Sequence, residues 1–397
     1  MRLNTSRVKG IGDFTCIGSD CEDSCCFLTT PIVPNDLKRA ENSPWGEELA
    51  RGIRPDGKAL SFQECGKRCH FLTTENLCRL QKNHGHAALP TSCRTYPRLI
   101  SRFGGDLVFS GHLSCPEMAR KLLLRKDASQ VEEGRPLHEN ALEFFQAYYA
   151  IPHPTDEARF HADCKTALLE LLPSEAPLWP CILQMSQAAK TLDSPPSGWS
   201  RGQLLAFIGS GPELNTGNPV HQPYFSIMWF WSFTAKALKA APGGRFSSLL
   251  ERILATLPPM EPEMLPRWGE ALECGQSEFH EHAKDRIGAW FRNLLRHQVL
   301  QHPVYPDRGF TRFLEGHFEI LAACALVLGF HPTWRQRDGE EARTPEEIFV
   351  EVVQSLFRDI CQSAKARSAV FAWPWEDSPH DKMDRLLATC GSLLGRS

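Results

Sequence analysis

The stretch Phe14-Thr15-Cys16-Ile17-Gly18-Ser19-Asp20-Cys21-Glu22-Asp23-Ser24-Cys25-Cys26 decides how the rest of the chain is read. It places four thiols in the spacing C-x4-C-x3-C-C, with Gly, Ser and Asp between them, a pattern that suits a loop rather than a helix or strand interior. Outward from it come Cys65, Cys69, Cys78, Cys93 and Cys115, so nine of the 15 cysteines lie between Cys16 and Cys115. The opening residues, Met1 to Phe14, contain no apolar h-region, which predicts no cleaved secretory signal and a cytoplasmic chain with reduced thiols. Clustered cysteines in that setting read as metal ligands or redox groups before they read as disulfides. Cys21/Cys25 and Cys65/Cys69 have the spacing of zinc knuckles. An iron-sulfur cluster also takes four thiolates, with freer spacing. Successive side chains of extended backbone point to opposite sides, so one of Cys25 and Cys26 ligates while the other packs or serves a second centre.

Composition narrows the class. The 397 residues are 42% hydrophobic and 23% charged, as in ordinary globular chains, which excludes wholesale disorder. Forty-four Lys plus Arg against 47 Asp plus Glu give a net charge of -3, which argues against a protein built to coat nucleic acid or an anionic membrane. The longest strongly apolar run, Ile320 to Phe330, is too short to span a bilayer. Neither nucleic acid nor membrane is therefore expected as a partner.

The pattern predicts a mainly α fold: a Cys-rich, cluster-binding module over residues 1–125 with a short β-hairpin, then an all-helical domain over 137–397. The boundary falls in the charged stretch Lys126 to Pro136. Helices are expected at about Glu139–Ile151, Ala162–Leu172, Tyr224–Ala240, Arg245–Leu257, Ala283–His302, Gly309–Gly329, Pro345–Ala366 and His380–Leu394. In the seventh, Ile348, Val352, Leu356 and Ile360 make an apolar stripe, with Glu351, Gln354, Arg358 and Asp359 as its polar complement. Thr344-Pro345-Glu346-Glu347 supplies its start, by N-cap, first-turn Pro and first-turn acids. Asp193–Gly202 and Leu257–Pro266 read as loops. In the module, Leu99–Phe103 and Leu107–Ser110 read as strands joined by the turn Gly104-Gly105-Asp106. Pairing about that turn is expected to bring Cys93 opposite Cys115.

Four blocks carry a family resemblance: Phe14 to Cys26; Leu77-Cys78-Arg79-Leu80-Gln81; Thr91-Ser92-Cys93-Arg94-Thr95-Tyr96-Pro97-Arg98; and Leu113-Ser114-Cys115-Pro116-Glu117-Met118-Ala119-Arg120. In this order they resemble the flagellin lysine N-methylase family over about residues 10–125. More distantly, the module is similar to small bacterial zinc- or iron-chelating proteins. The resemblance implies a bacterial, cytoplasmic enzyme that moves methyl from S-adenosylmethionine to lysine side-chain nitrogen and requires a [4Fe-4S] cluster. By position, Cys16, Cys21, Cys25, Cys26, Cys69, Cys78, Cys93 and Cys115 carry over as the family's cysteines, and Cys65 does not. The implied partner is a lysine-bearing protein or peptide of the flagellin kind. Two rivals stand beside it. One is an enzyme with the same cofactors acting on a small metabolite or peptide. The other is a non-enzymatic metal-chelating or redox-sensing protein.

Familiar methyl-donor signatures are missing. A radical-type C-x3-C-x2-C motif starting at Cys21 would need cysteine where Leu28 stands. Phe207-Ile208-Gly209-Ser210-Gly211-Pro212 is the nearest match to a strand-turn-helix donor loop, but Pro212 and its helical surroundings suit a loop better. Attack on a sulfonium methyl needs a neutral lysine amine, whose pKa in water is about 10.4, so burial or a base must deprotonate it. Tyr96, His112 and Glu117 are the candidate catalytic groups; Arg94 and Arg98 are candidates to hold the donor carboxylate. Tyr96 also reads as a buried turn ring, and Glu117 as a first-turn helix acid. His70, His84 and His86 read as surface or hydrogen-bonded residues more readily than as fourth ligands. The run Tyr224 to Phe233 suits a buried helix better than a cation cage, and His317, with Glu319 a polar break in an apolar helix, reads as a satisfied interior histidine.

Overall fold

The structure is a computed structural model that describes residues 5–28, 30–60, 68–103, 106–133, 146–149, 155–212, 223–302, 304, 308–334, 343–372 and 379–394. Cys65, the turn Gly104-Gly105 and most of the helix expected at Glu139–Ile151 lie outside these residues. The first part of the chain holds strands β1 (Thr5–Val8), β2 (Arg98–Phe103), β3 (Asp106–Gly111) and β4 (Val131–Glu133). Around them lie short helices α1 (Pro34–Glu41), α2 (Gly46–Arg51), α3 (Arg79–His84), α4 (Thr91–Thr95) and α5 (Pro116–Leu123). After strand β5 (Gln146–Tyr149) come α6 (Asp156–Glu170), α7 (Leu178–Asp193), α8 (Arg201–Gly209), α9 (Pro223–Ala240), α10 (Arg245–Ala255) and α11 (Leu265–Ala283). The chain closes with α12 (Arg286–Gln301), α13 (Phe310–Gly329), α14 (Pro345–Leu356), a π-helical turn (Phe357–Cys361), α15 (Ala364–Val370) and α16 (Pro379–Leu394).

The hairpin forms as the alternation requires, with Leu99 opposite Ser110 and Phe103 opposite Asp106. It is the centre of a larger sheet, however, in the order β4-β1-β3-β2-β5. Strand β1 joins β3 in parallel and β5 joins β2 in parallel, pairings between segments far apart in sequence that local pattern does not encode. Gln146–Tyr149 is thus a strand inside a stretch expected to be helical; parallel pairing to β2 decides its state. Helices α7, α8 and α11 were not among those expected; α8 begins on a Ser200/Gln203 capping box.

Helix α14 starts as its sequence dictates: Thr344 Oγ1 accepts from the Glu347 N–H at 3.3 Å, and Glu347 accepts from the Thr344 N–H at 2.8 Å. The expected continuous helix Pro345–Ala366 breaks at the π-turn and restarts at α15 on the Ser363 cap. At the middle of the body, α13 packs against α16, α11, α7 and α12 and is buried along nearly its whole length. By length and composition this helix could cross a bilayer, yet 89% of its most apolar window is covered by protein. Its core is continuous with Val8, Ile11, Phe14, Leu113, Met118 and Leu122 of the first 125 residues. A separate small core of Ile32, Trp45, Leu49, Phe71 and Leu80 lies under residues 30–93.

Candidate functional site

The eight cysteines that carry the resemblance are all free thiols, and they fall into two neighbourhoods. In the first, Cys26, Cys78 and Cys93 pack against the small core that contains buried Cys69. The Cys69 N–H donates to the Cys26 carbonyl at 2.7 Å. Burial pushes the Cys69 thiol up to about 12, with Cys26 and Cys78 raising it further and a Phe71 backbone hydrogen bond opposing the rise. Burial likewise drives the Cys93 thiol far upward, helped by Cys26, Cys69 and Cys78. In the second neighbourhood, Cys115 at the start of α5 is raised to about 12 by burial, receives the Met118 and Glu117 backbone amides, and has Cys21 and Cys16 beside it. Cys25 joins the two: its thiol donates to Cys26, and it neighbours both Cys93 and Cys16. That bond lowers Cys26, aided by Ser24 and by the Arg358 charge. Cys25–Phe27 is a 3-10 turn rather than extended chain, and the two adjacent thiols bond each other, so the expected alternation to opposite sides does not hold here.

The strand pairing expected to bring Cys93 opposite Cys115 does not extend to them. The ladder ends at Arg98 opposite Gly111. Beyond it one chain enters α4, which carries Cys93, and the other reaches α5, which Cys115 precedes. Asp36 holds α4 in place by accepting from the Thr91 N–H at 2.8 Å and the Thr91 hydroxyl at 2.7 Å. Among the described residues no three His, Cys, Asp or Glu side chains close into a shell for a single metal ion.

Beside the second neighbourhood lie the candidate catalytic groups. The Tyr96 hydroxyl is 3.1 Å from Ser114 Oγ, its ring stacks on His112 at 5.7 Å, and burial, with Cys115 adding to it, holds its phenol well above the ordinary range. Burial holds His112 down at about 4, so its imidazole is neutral at pH 7. Glu117 occupies the first turn of α5 and pairs with Arg120 at 3.2 Å and Lys121 at 3.1 Å. Arg98 lies over the Phe14 ring at 5.1 Å, with Cys16 nearby. Arg94 is placed differently, toward Arg39 and His86. His84 bonds Glu48 at 2.8 Å and His70 lies 3.3 Å from Arg79.

Residues of the helical body that pattern reading assigned to a polar helix face complete the site. Gln354, 1% exposed, donates to Asp23 at 2.6 Å and to the Ser114 carbonyl at 2.8 Å. Arg358 pairs with Asp23 at 2.8 Å and donates to the Ser24 carbonyl at 3.2 Å, and Gln362 donates to Ser114 Oγ at 2.5 Å. Glu351, held well below the usual carboxylate range by His331, Arg343 and Arg252, braces the same helix. The polar stripe of α14 therefore faces the cysteine loops rather than water. A cleft of about 650 Å³ opens here, lined by Glu22, Pro116, Arg120, Arg245, Arg343 and Gln354 among others, next to Cys21 and Cys115. Only the sequence position of Asp23 inside the first cysteine block hinted at this arrangement.

The class so defined is a mainly helical protein whose N-terminal module gathers free thiols against a helical body. No protein-family model matches the chain, and no solved structure matches it. Among curated proteins it is 26% identical over 151 residues to the flagellar biosynthetic protein FliU of Salmonella muenchen, covering 32% of this chain and 82% of that protein. It is 28% identical over 142 residues to the lysine-N-methylase of Salmonella typhimurium, covering 30% of this chain and 32% of that one, and 27% identical to its Salmonella choleraesuis counterpart. The chain thus spans about a third of the length of these lysine-N-methylases. The resemblance to the flagellin lysine N-methylase family holds at this distance.

Proposed function

We propose that the chain is a lysine N-methyltransferase that uses S-adenosylmethionine, holds a [4Fe-4S] cluster on thiols of its first 125 residues, and acts on a lysine-bearing protein of the flagellin kind. The supporting observation is that all eight cysteines of the resemblance are free and gathered in two neighbourhoods that Cys25 joins, alongside relatives named for lysine N-methylation. The donor set fits the cofactor: thiols are the ligands such clusters take, and backbone amides at Cys69, Cys78 and Cys115 supply the N–H···S bonds that tune them. Cys26, Cys69, Cys78 and Cys93 would form one set, against the small core, and Cys16, Cys21 and Cys115 the other, with Cys25 between them and Cys25 and Cys115 beside Tyr96. When bound, the cluster would supply Lewis-acidic iron, open to amino and carboxylate groups where three of the cysteines rather than four ligate it.

In the transfer, the lysine nitrogen lone pair forms a bond to the sulfonium methyl as the carbon–sulfur bond breaks, leaving a neutral thioether, and the amine sheds a proton. His112, kept neutral by burial, and the Tyr96–Ser114–Gln362 hydrogen bonds line the wall beside it, where desolvation favours the neutral amine, and the proton is released to solvent. Glu117, fixed between two cations, carries fixed negative charge near the reacting ammonium, and Arg98 is the better placed of the two arginines to hold a carboxylate.

The test is anaerobic purification with iron, sulfide and zinc analysis, followed by incubation of a lysine-bearing flagellin peptide with methyl-labelled donor. Iron near four atoms per chain, lost in Cys69→Ser or in Cys115→Ser, and label in the peptide are expected. A colourless zinc protein, or donor neither bound nor consumed, overturns the proposal. Label found only in a small molecule moves the substrate to the small-metabolite class.

A further inference from the structure

A second cavity, of about 410 Å³, lies in the helical body away from the cysteine loops, between α13 and α15 with Lys382 of α16 and His302 on its walls. Its size is that of a small-molecule site. It opens to solvent at Arg308, Arg312 and Ser368, with Glu315, His317 and Glu319 buried at its floor. Among the described residues, four cations, Arg308, Arg312, Arg367 and Lys382, line it against two acids, Glu315 and Glu319. Lys382 is engaged with both acids, at 2.6 Å from Glu319 and 3.6 Å from Glu315, yet Glu315 Oε1 is buried with no hydrogen-bond partner.

His317 was expected to be a satisfied interior histidine, and that expectation fails. The residue is 2% exposed, it lines the cavity, and neither Nδ1 nor Nε2 has a hydrogen-bond partner. Its ring meets Phe313 edge-on at 4.6 Å and His302 at 5.3 Å. Both nitrogens of one ring, beside an unpaired carboxylate oxygen, thus keep their hydrogen-bonding capacity for whatever fills the cavity rather than for the protein. A ligand with donors and acceptors satisfies them. The excess of positive lining charge calls for a carboxylate, the open Glu315 oxygen calls for an ammonium, and Phe313 and Phe371 offer apolar faces for what lies beyond.

We propose that this cavity binds an amino-acid zwitterion, its carboxylate at Arg312 and Arg367 and its ammonium at Glu315, with His317 completing the hydrogen bonds. Two sources present that headgroup: the methyl donor, an assignment that rests on the methyltransferase reading above and replaces Arg98 and the cluster iron as the seat of the donor's headgroup, and a free amino acid, which does not. Arg367 also reaches His302 at 3.4 Å, and the same segment carries Gln362 to Ser114, so the cavity and the Tyr96 site share the wall from Gln362 to Arg367.

Calorimetry on the full chain, purified anaerobically, with S-adenosylhomocysteine and separately with L-lysine tests this. Ser368→Trp fills the mouth and Arg312→Gln removes a rim charge; both residues are exposed, so the fold is kept. One of the two probes is expected to bind wild type and to lose tenfold or more in affinity in both variants, with iron content unchanged. S-adenosylhomocysteine as that probe identifies the donor as occupant, and L-lysine alone identifies a free amino acid. His317→Phe separates a ligand role from a packing role, since it should weaken binding while holding or raising Tm. Affinities unchanged in Ser368→Trp and Arg312→Gln overturn the cavity's role, and label still reaching the flagellin peptide then leaves the methyltransferase standing. Neither probe binding wild type overturns the inference outright.

Discussion

Arg358 is the clamp between the helical body and the first cysteine block, and its removal gives the sharpest test of how the site is built. Its guanidinium pairs with Asp23 at 2.8 Å, with the two side chains 7% and 11% exposed, and it donates to the Ser24 carbonyl at 3.2 Å and the Asp23 carbonyl at 3.4 Å. Breaking a buried pair by deleting one partner costs about 3–5 kcal/mol, because the other charge is left without compensation. Asp23 keeps Gln354 at 2.6 Å and Arg245 at 3.8 Å, so Arg358→Gln should fall at or below the lower end, about 2–3 kcal/mol. For a chain of 397 residues that corresponds to a Tm lower by about 4 °C, since the shift per kcal/mol shrinks with length. Asp23→Asn should cost a similar amount, and the double variant should recover about 1.5 kcal/mol relative to additivity. The functional readout is iron per chain after anaerobic purification: Arg358→Gln should hold less than a destabilised control of equal Tm, because the loop from Cys21 to Cys26 loses its anchor. A coupling energy indistinguishable from zero, or iron loss matched by the control, refutes the clamp.

Gly275→Ala is a suitable control and a prediction in itself: its Cβ would stand 1.8 Å from the Gly329 carbonyl oxygen, so α11 and α13 must separate, at a cost of about 1–3 kcal/mol by thermal unfolding. Gly269→Ala on the same helix meets nothing within 4 Å and should instead gain about 0.5–1 kcal/mol; a loss there would mean that α11 packs differently. Acid should destabilise the body through His297, which is 0% exposed and held by burial at about 3. Its unfolded form takes a proton near 6.5 while its folded form does not, so its contribution is intact above about pH 6.5. It is lost by about 1.4 kcal/mol per unit below that, or about 2 kcal/mol at pH 5. Urea midpoints at pH 7 and pH 5 should show this drop in wild type and a smaller one in His297→Gln; equal drops would contradict it.

Helix character over Pro345–Leu356 was legible because capping and apolar period act within a few residues, and the same holds for the β2–β3 hairpin. The cysteine set was legible as chemistry, since thiols at that density have few other uses. Its division into two groups was not, and neither was the end of the strand pairing short of Cys93 and Cys115, because the path of each chain beyond the hairpin depends on α4 and α5 docking on different cores.

What the sequence determined by itself is therefore local: where helices begin, where one hairpin falls, and which residues have metal-binding chemistry. The tertiary structure decided everything that joins distant segments. Asp193 caps α13 through the Phe310 and Thr311 amides at 2.6 and 2.7 Å, Asp359 caps α10 through Phe246 at 2.7 Å, and Gln354 and Arg358 hold Asp23 from more than 300 residues away. A hydrogen bond of this kind is specified by where two surfaces come to rest, and no periodicity along one chain segment carries that information. His317 makes the same point from the other side: one polar residue in an apolar helix reads as a buried histidine with a partner, and only the packed body leaves it facing a cavity.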